Sequence, residues 1–257
     1  MIQAALLSAG DESASSAWSA LCALSGVAEA AAAARTAVDR VLVHRALRTR
    51  TAGLVAESAL RGSRASTALS GEELSLDDAR SGDGVHPVFA GALRAHSELP
   101  RLRAVWATSP RQALARLHLL AAAELAPADD LGRPSSARGA AALAEVSAVA
   151  SCRTSAPAVV VAAVVHAELL AAAPFRAANG VVARAGARLV LADRGLDPSL
   201  LTMVEVGHVE LGDYAEVAAA YQSGEPEGVA RWLVHCARAV ELGARETLAA
   251  AEALVRG

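Results

Sequence analysis

Two neighbouring residues, about two-thirds of the way along the chain, could hold an anion. They are Asn179 and Gly180 in Ala173-Pro174-Phe175-Arg176-Ala177-Ala178-Asn179-Gly180-Val181-Val182-Ala183-Arg184. An apolar run from Ala156 to Ala172 leads into this stretch, and an amphipathic segment from Gly180 to Asp193 leads out of it. The pattern predicts a compact loop that opens a helix. The first turn of a helix has unpaired N–H donors and the positive end of its dipole, which together favour an anion. Asn179, the only asparagine in the chain, can accept from those N–H groups. Gly180 lets a ligand approach the backbone closely. The same residues also describe a helix cap that binds nothing. Phe175, one of two phenylalanines, reads as the core anchor of the loop.

The stretch resembles the signature of the Fic domain family, His-Pro-Phe-x-(Asp/Glu)-Gly-Asn-Gly-Arg-x-x-Arg. Pro174, Phe175, Asn179, Gly180 and Arg184 match in register. The Gly195/Pro198 stop after the motif and the Tyr214 segment followed by Gly224-Glu225-Pro226 and Trp232 also resemble the family, so the likeness covers about residues 85–255. The resemblance implies an all-α Fic fold, with the motif loop between two core helices. Fic enzymes transfer AMP from ATP to a protein hydroxyl (AMPylation). In them the motif His is the base, the acidic residue holds Mg²⁺, the Gly-Asn-Gly turn cradles the phosphates, and the second Arg reaches the γ-phosphate. The resemblance therefore assigns nucleotide or phosphate binding to Asn179, Gly180 and Arg184.

The reactive positions depart from the pattern. The His position is Ala173, the acidic position Ala177, the first Gly Ala178 and the first Arg Val181. Loss of a general base alone costs about 10²–10⁴ in rate. Loss of the metal holder and a phosphate clamp acts in the same direction. His166 lies about two helical turns, ~10 Å, before Ala173 and reads as a core histidine. Upstream, Ser66-Thr67-Ala68-Leu69-Ser70-Gly71 resembles the family's inhibitory motif, (Ser/Thr)-x-x-x-Glu-(Gly/Asn), with Ser70 where the Glu would stand. This predicts that the helix ending near Leu69 packs beside the Asn179 loop. Arg184 then either binds a phosphate or pairs with a carboxylate such as Glu72 or Glu73.

Two functions lead, beside a third, a helical nucleic-acid binder using Arg45 to Arg64. One is a catalytically degenerate Fic-fold protein, a pseudoenzyme or interaction module with a protein partner, bacterial and cytoplasmic, that keeps at most weak nucleotide binding. The other is a Fic-fold nucleotidyl or phosphoryl transferase with a base from outside the motif, for which Glu168, Asp193, His208 and His235 are the candidates. No catalytic residue is expected within the motif. No cofactor is required by the first reading: ATP or another nucleotide remains open, and Mg²⁺ is not expected without its acidic holder. A homodimer is compatible with either reading.

The elements that must position these residues follow from periodicity and breakers. Helices are expected over about Ala14–Leu24, Val27–Arg48, Ala52–Leu69, Val85–Ser97, Pro110–Leu125, Ala140–Ala150, the buried run from Ala156, Gly180–Asp193, Tyr214–Tyr221 and Glu227–Val255. Ser155 is expected to cap the buried helix. Glu72–Gly84 and Ala126–Gly139 read as loops, Leu99-Pro100 as a break, and Glu205–Asp213 as irregular. Residues 1–80 read as an N-terminal helical segment carrying the inhibitory-like motif, and 81–257 as the Fic-like domain, together one compact unit.

Composition agrees and excludes alternatives. Of 257 residues, 54% are apolar but only 3% aromatic, so the core is built from Ala, Leu and Val; alanine is the best helix former, and isoleucine and the aromatics of a β-rich chain are scarce. There is no lysine, which removes P-loop and Schiff-base chemistry. The net charge of −3 gives no nucleic-acid footprint. The run Arg45, Arg48, Arg50, Arg61, Arg64 reads as a solvated face. Cys22, Cys152 and Cys236 form no Cys-x-x-Cys pair, and His166-Ala167-Glu168 is not followed by a second His, so no metal-ligand cluster is expected. Glu168 within Ala156–Phe175 argues against a membrane span, at roughly 2.5–3.5 kcal/mol for a charge at that depth. No basic region precedes the apolar start, so a secretory signal is not expected.

Overall fold

The computed structural model describes residues 11–48, 51–82 and 86–256. Among them the chain forms twelve α-helices and no strand. They are α1 (Asp11–Cys22), α2 (Val27–Leu42), α3 (Thr51–Ala68), α4 (Leu76–Ser81), α5 (Pro87–Thr108), α6 (Pro110–Ala121), α7 (Ala137–Ser151), α8 (Ala158–Ala172), α9 (Asn179–Asp193), α10 (Val204–Leu211), α11 (Tyr214–Gln222) and α12 (Pro226–Arg256). Single 3₁₀ turns lie at Arg45–Arg48 and Ala128–Asp130.

Helices α8 and α9 form the centre. Nearly every residue of α8 from Ala158 to Leu169 is buried, as its lack of a polar face requires. Along α9, all residues from Val181 to Ala192 are buried, including Arg184 and Arg188. Helix α9 lies between α8 and α5, and the long α12 packs along α2, α8, α10 and α11. Alanine and glycine allow these close crossings. A Cβ at Gly207 would sit 2.0 Å from the Ala239 carbonyl oxygen, so α10 lies directly on α12 at that point. Helix α3, from the N-terminal segment, packs against α5, α9, α10 and α12.

Several local expectations need correction. Helix α5 runs through Pro100 to Thr108 instead of breaking there. Burial of Leu99, Leu102 and Trp106 on one face outweighs the lost backbone bond. The acidic segment after α3 contains α4, whose Ser75 hydroxyl accepts from the Asp78 N–H. Residues 204–211 are helical, because α10 fits against α12 at Gly207 and Gly243. Pro157, not Ser155, precedes α8, and it supplies no side-chain cap. The segment after α2 tightens into 3₁₀ geometry at Arg45. Val85 and Arg50 lie outside the described residues. The basic run is only partly solvated: Arg61 pairs with Glu57 and Glu246, and Arg64 donates to the Leu74 carbonyl.

Among the described residues no single helix is long and apolar enough to cross a membrane. The segments Ala14–Cys22 and Val27–Leu42 meet that test only as a pair bent by 82°. The apolar side of α2 (Val27, Val38, Val41) is spent on the core. Cys22, Cys152 and Cys236 are free thiols.

Candidate functional site

The motif loop is closed on itself. Helix α8 ends at Ala173 in the left-handed region (φ 40°), and Ala178 enters α9 with φ 55°. Between them Phe175 drops into the core, 3% exposed. Its ring stacks on His118 with centroids 4.2 Å apart and planes 9° from parallel. His118 Nδ1 accepts from the Gly132 N–H at 2.9 Å, and burial lowers the His118 pKa, Asp130 opposing. The Pro174 carbonyl accepts from the Ser135 N–H at 2.8 Å. The segment between α6 and α7 thus pins the loop from outside.

Asn179 is placed differently from the expectation. It does not cap its own helix. Its Oδ1 accepts from the Phe175 N–H at 2.9 Å, and its Nδ2 donates to the Phe175 carbonyl at 2.7 Å. The amide therefore replaces a turn's own backbone bonds, and both of its polar atoms face the loop. The space beside Gly180 is taken as well. A Cβ there would stand 3.1 Å from Arg184 Nη1.

Arg184 is 2% exposed. It makes no ion pair with Glu72 or Glu73: among the described residues no carboxylate lies within ion-pair distance of it, which corrects that expectation. Its partners are hydroxyls and a carbonyl at the end of α3. Nε donates to Ser66 Oγ at 2.9 Å, and Nη2 donates to the Ser66 carbonyl at 2.8 Å and to Ser70 Oγ at 2.9 Å. Nη1 lies 3.4 Å from the Tyr214 hydroxyl. Gly71 follows with φ 90° and turns the chain away. Ser66, Ser70, Gly180 and Arg184 are thus brought together, while Asn179 serves the loop beside them.

Beyond Tyr214 a buried row continues. His166 Nε2 lies 2.8 Å from the Tyr214 hydroxyl. The His166 ring meets His208 edge-on at 5.4 Å. His208 Nδ1 lies 2.9 Å from His235 Nε2, and His235 Nδ1 lies 2.8 Å from Asp213 Oδ1. Burial holds both His166 and His208 well below the ordinary histidine range, and the Arg184 charge lowers His166 further. Cys236 lies beside them, its thiol pushed well up by burial. Sequence spacing predicts no metal-ligand cluster, but the fold assembles three donors, His166, His208 and Cys236. They come from α8, α10 and α12, and no local spacing could have announced them.

The other candidate bases lie apart. Glu168 accepts from the Tyr221 hydroxyl at 2.9 Å, and burial raises its pKa. It lines a cleft of about 280 Å³ with Arg138 and Ser223. Asp193 lines another, of about 680 Å³, with Arg153 and Arg194. Neither cleft is lined by Arg184 or Gly180.

The overall arrangement is similar to a solved Fic family protein from Desulfovibrio desulfuricans G20. The TM-score is 0.68 at 18% sequence identity, over 86% of this chain and 74% of that one. At that identity the likeness shows the Fic fold. No protein-family model and no curated protein matches the sequence.

Proposed function

We propose that this chain is a catalytically degenerate Fic-fold protein that acts as an interaction or regulatory module for another protein. The single observation that carries the reading is the state of Arg184. The guanidinium fills the space over Gly180 and spends its donors on Ser66, Ser70 and Tyr214. Nε and Nη2 are thereby committed to Ser66 and Ser70, and the whole side chain is buried. With alanine at 173 and 177, the loop also lacks a base for a hydroxyl nucleophile and a carboxylate for Mg²⁺. The candidate bases from outside the motif do not fill that gap. His208 and His235 are tied to each other and to Asp213 on the far side of Tyr214, and Glu168 faces Tyr221.

The test is calorimetric titration with ATP, ADP and AMP, with and without Mg²⁺, beside an assay for label transfer from ATP to protein. The expected result is no saturable heat at millimolar nucleotide and no transfer. Saturable binding that disappears in an Arg184→Ala variant would overturn the reading in favour of a working phosphate cradle.

A further inference from the structure

Helices α8, α9, α10 and α12 line a cavity of about 20 Å³, room for a single small occupant. Its only polar lining comes from His166, His208 and Cys236; the remaining lining is valine, alanine and leucine. All three polar residues are buried, and one ligand atom from each lies within 4.8 Å of the others. We propose that His166, His208 and Cys236 form a three-coordinate site for a soft monovalent transition ion, Cu(I).

Donor type, charge and space select the ion. A thiolate with imidazoles suits Cu(I) or Zn²⁺, and the absence of carboxylate lining disfavours Mg²⁺ and Ca²⁺. One thiolate neutralises a monovalent ion. It would leave Zn²⁺ with a net positive charge in an apolar cavity, and burying an uncompensated charge is costly. The Arg184 guanidinium, one Tyr214 hydroxyl away from His166, adds to that cost. Zinc also demands four ligands in nearly all structural sites, and a cavity this size does not hold an ion together with a fourth ligand. With metal–ligand bonds of about 2.0–2.3 Å, trigonal donors stand roughly 3.5–4 Å apart, so a contraction of about 1 Å closes the set.

The surroundings already orient the donors. Asp213 accepts from His235 Nδ1–H, which leaves His235 Nε2 to accept from His208 Nδ1–H. The lone pair of His208 Nε2 is then free, in the carboxylate–histidine arrangement common behind metal ligands. His166 lies against the Tyr214 hydroxyl through Nε2, and ligation through Nδ1 takes the tautomer in which Nε2–H donates to the Tyr214 oxygen. On binding, the Cu–S bond forms as the S–H bond of Cys236 breaks, and the proton passes to bulk water. No electron is transferred.

The test is an anaerobic titration of the full chain with Cu(I) against the competing chelator bicinchoninate. One equivalent is expected to be withheld by the wild type and by a Cys22→Ser/Cys152→Ser double variant. Cys236→Ser and His208→Gln are expected to abolish it, with far-UV dichroism confirming that each remains helical. His235→Ala, acting through His208, is expected to weaken it roughly 10–100-fold. X-ray absorption on the loaded wild type, which depends on no variant, is expected to report one sulfur and two nitrogens. A wild-type competition curve no different from that of Cys236→Ser, or a copper shell without sulfur, would overturn the proposal, as a cavity holding only water requires. Tighter retention of Zn²⁺ than of Cu(I), each against its own chelator, would overturn the choice of ion.

Discussion

Arg184 Nη2 meets Ser70 Oγ at 2.9 Å, so a hydroxyl stands where a buried guanidinium would ordinarily find a carboxylate. The cation is satisfied in hydrogen bonds but not in charge. A carboxylate at position 70 would supply the missing charge from an exposed helix end, where its own desolvation is small. Charge-assisted hydrogen bonds contribute about 1.5–3 kcal/mol. Ser70→Glu is therefore expected to raise the urea midpoint, and the gain should vanish in an Arg184→Met background. An equal gain in both backgrounds would mean that the introduced carboxylate acts elsewhere.

Ala178 opens α9 at φ 55°, where a side chain costs about 1–2 kcal/mol that glycine does not incur. Glycine in turn loses about 0.5–1 kcal/mol more backbone entropy on folding. The difference predicts that Ala178→Gly stabilises the protein by about 0.5–1 kcal/mol, and that Ala178→Val destabilises it further than alanine does. Chemical denaturation of the two variants checks the order.

The legible part of this fold was the part written locally. The unbroken apolar run of α8 and the amphipathic segment after it indicate two helices, and the resemblance of Pro174, Phe175, Asn179, Gly180 and Arg184 to the Fic signature implies that they are central and joined by the loop. The alanine-rich composition was enough for the all-α class. What stayed hidden depends on partners far along the chain. Pro100 reads as a break because the burial of Leu99, Leu102 and Trp106 cannot be seen locally. Asn179 reads as a cap because its neighbour is a helix, yet its amide turns back to Phe175. His166, His208 and Cys236 share a cavity only because α8, α10 and α12 meet.

The Asn179 clasp uses both ends of one amide, so an isosteric change separates chemistry from shape. In Asn179→Asp the donor to the Phe175 carbonyl becomes an acceptor, and two oxygens then face each other at the present 2.7 Å. An unmet or repulsive pair of this kind costs about 1–3 kcal/mol. Phe175→Ala removes the ring stacked on His118 and should cost about 3–5 kcal/mol. Thermal melts of the two variants are expected to fall in that order.

Glu205 is expected to make the stability of the fold sensitive to acid. Its carboxylate is 1% exposed, with Arg188 Nη1 at 3.8 Å and His96 Nε2 at 3.2 Å. Among the described residues neither oxygen meets hydrogen-bonding angles; the coulombic pull of Arg188 and His96 is the larger part of the attraction, with a smaller short-range contribution from His96. Burial alone would raise the pKa, but Arg188 and His96 outweigh it and hold it at about 2, against an ordinary 4.5. A folded pKa below the unfolded one means stability that is fully present above about pH 4.5 and is lost as pH falls toward 2. The loss through this one group is on the order of 3 kcal/mol. Glu205→Gln is expected to flatten the dependence of the urea midpoint on pH between 5 and 2.5. At neutral pH it should also cost about 3–5 kcal/mol, because Arg188 then stays buried without its counter-charge. A variant with the wild-type acid slope would mean that other carboxylates set the acid limit of this fold.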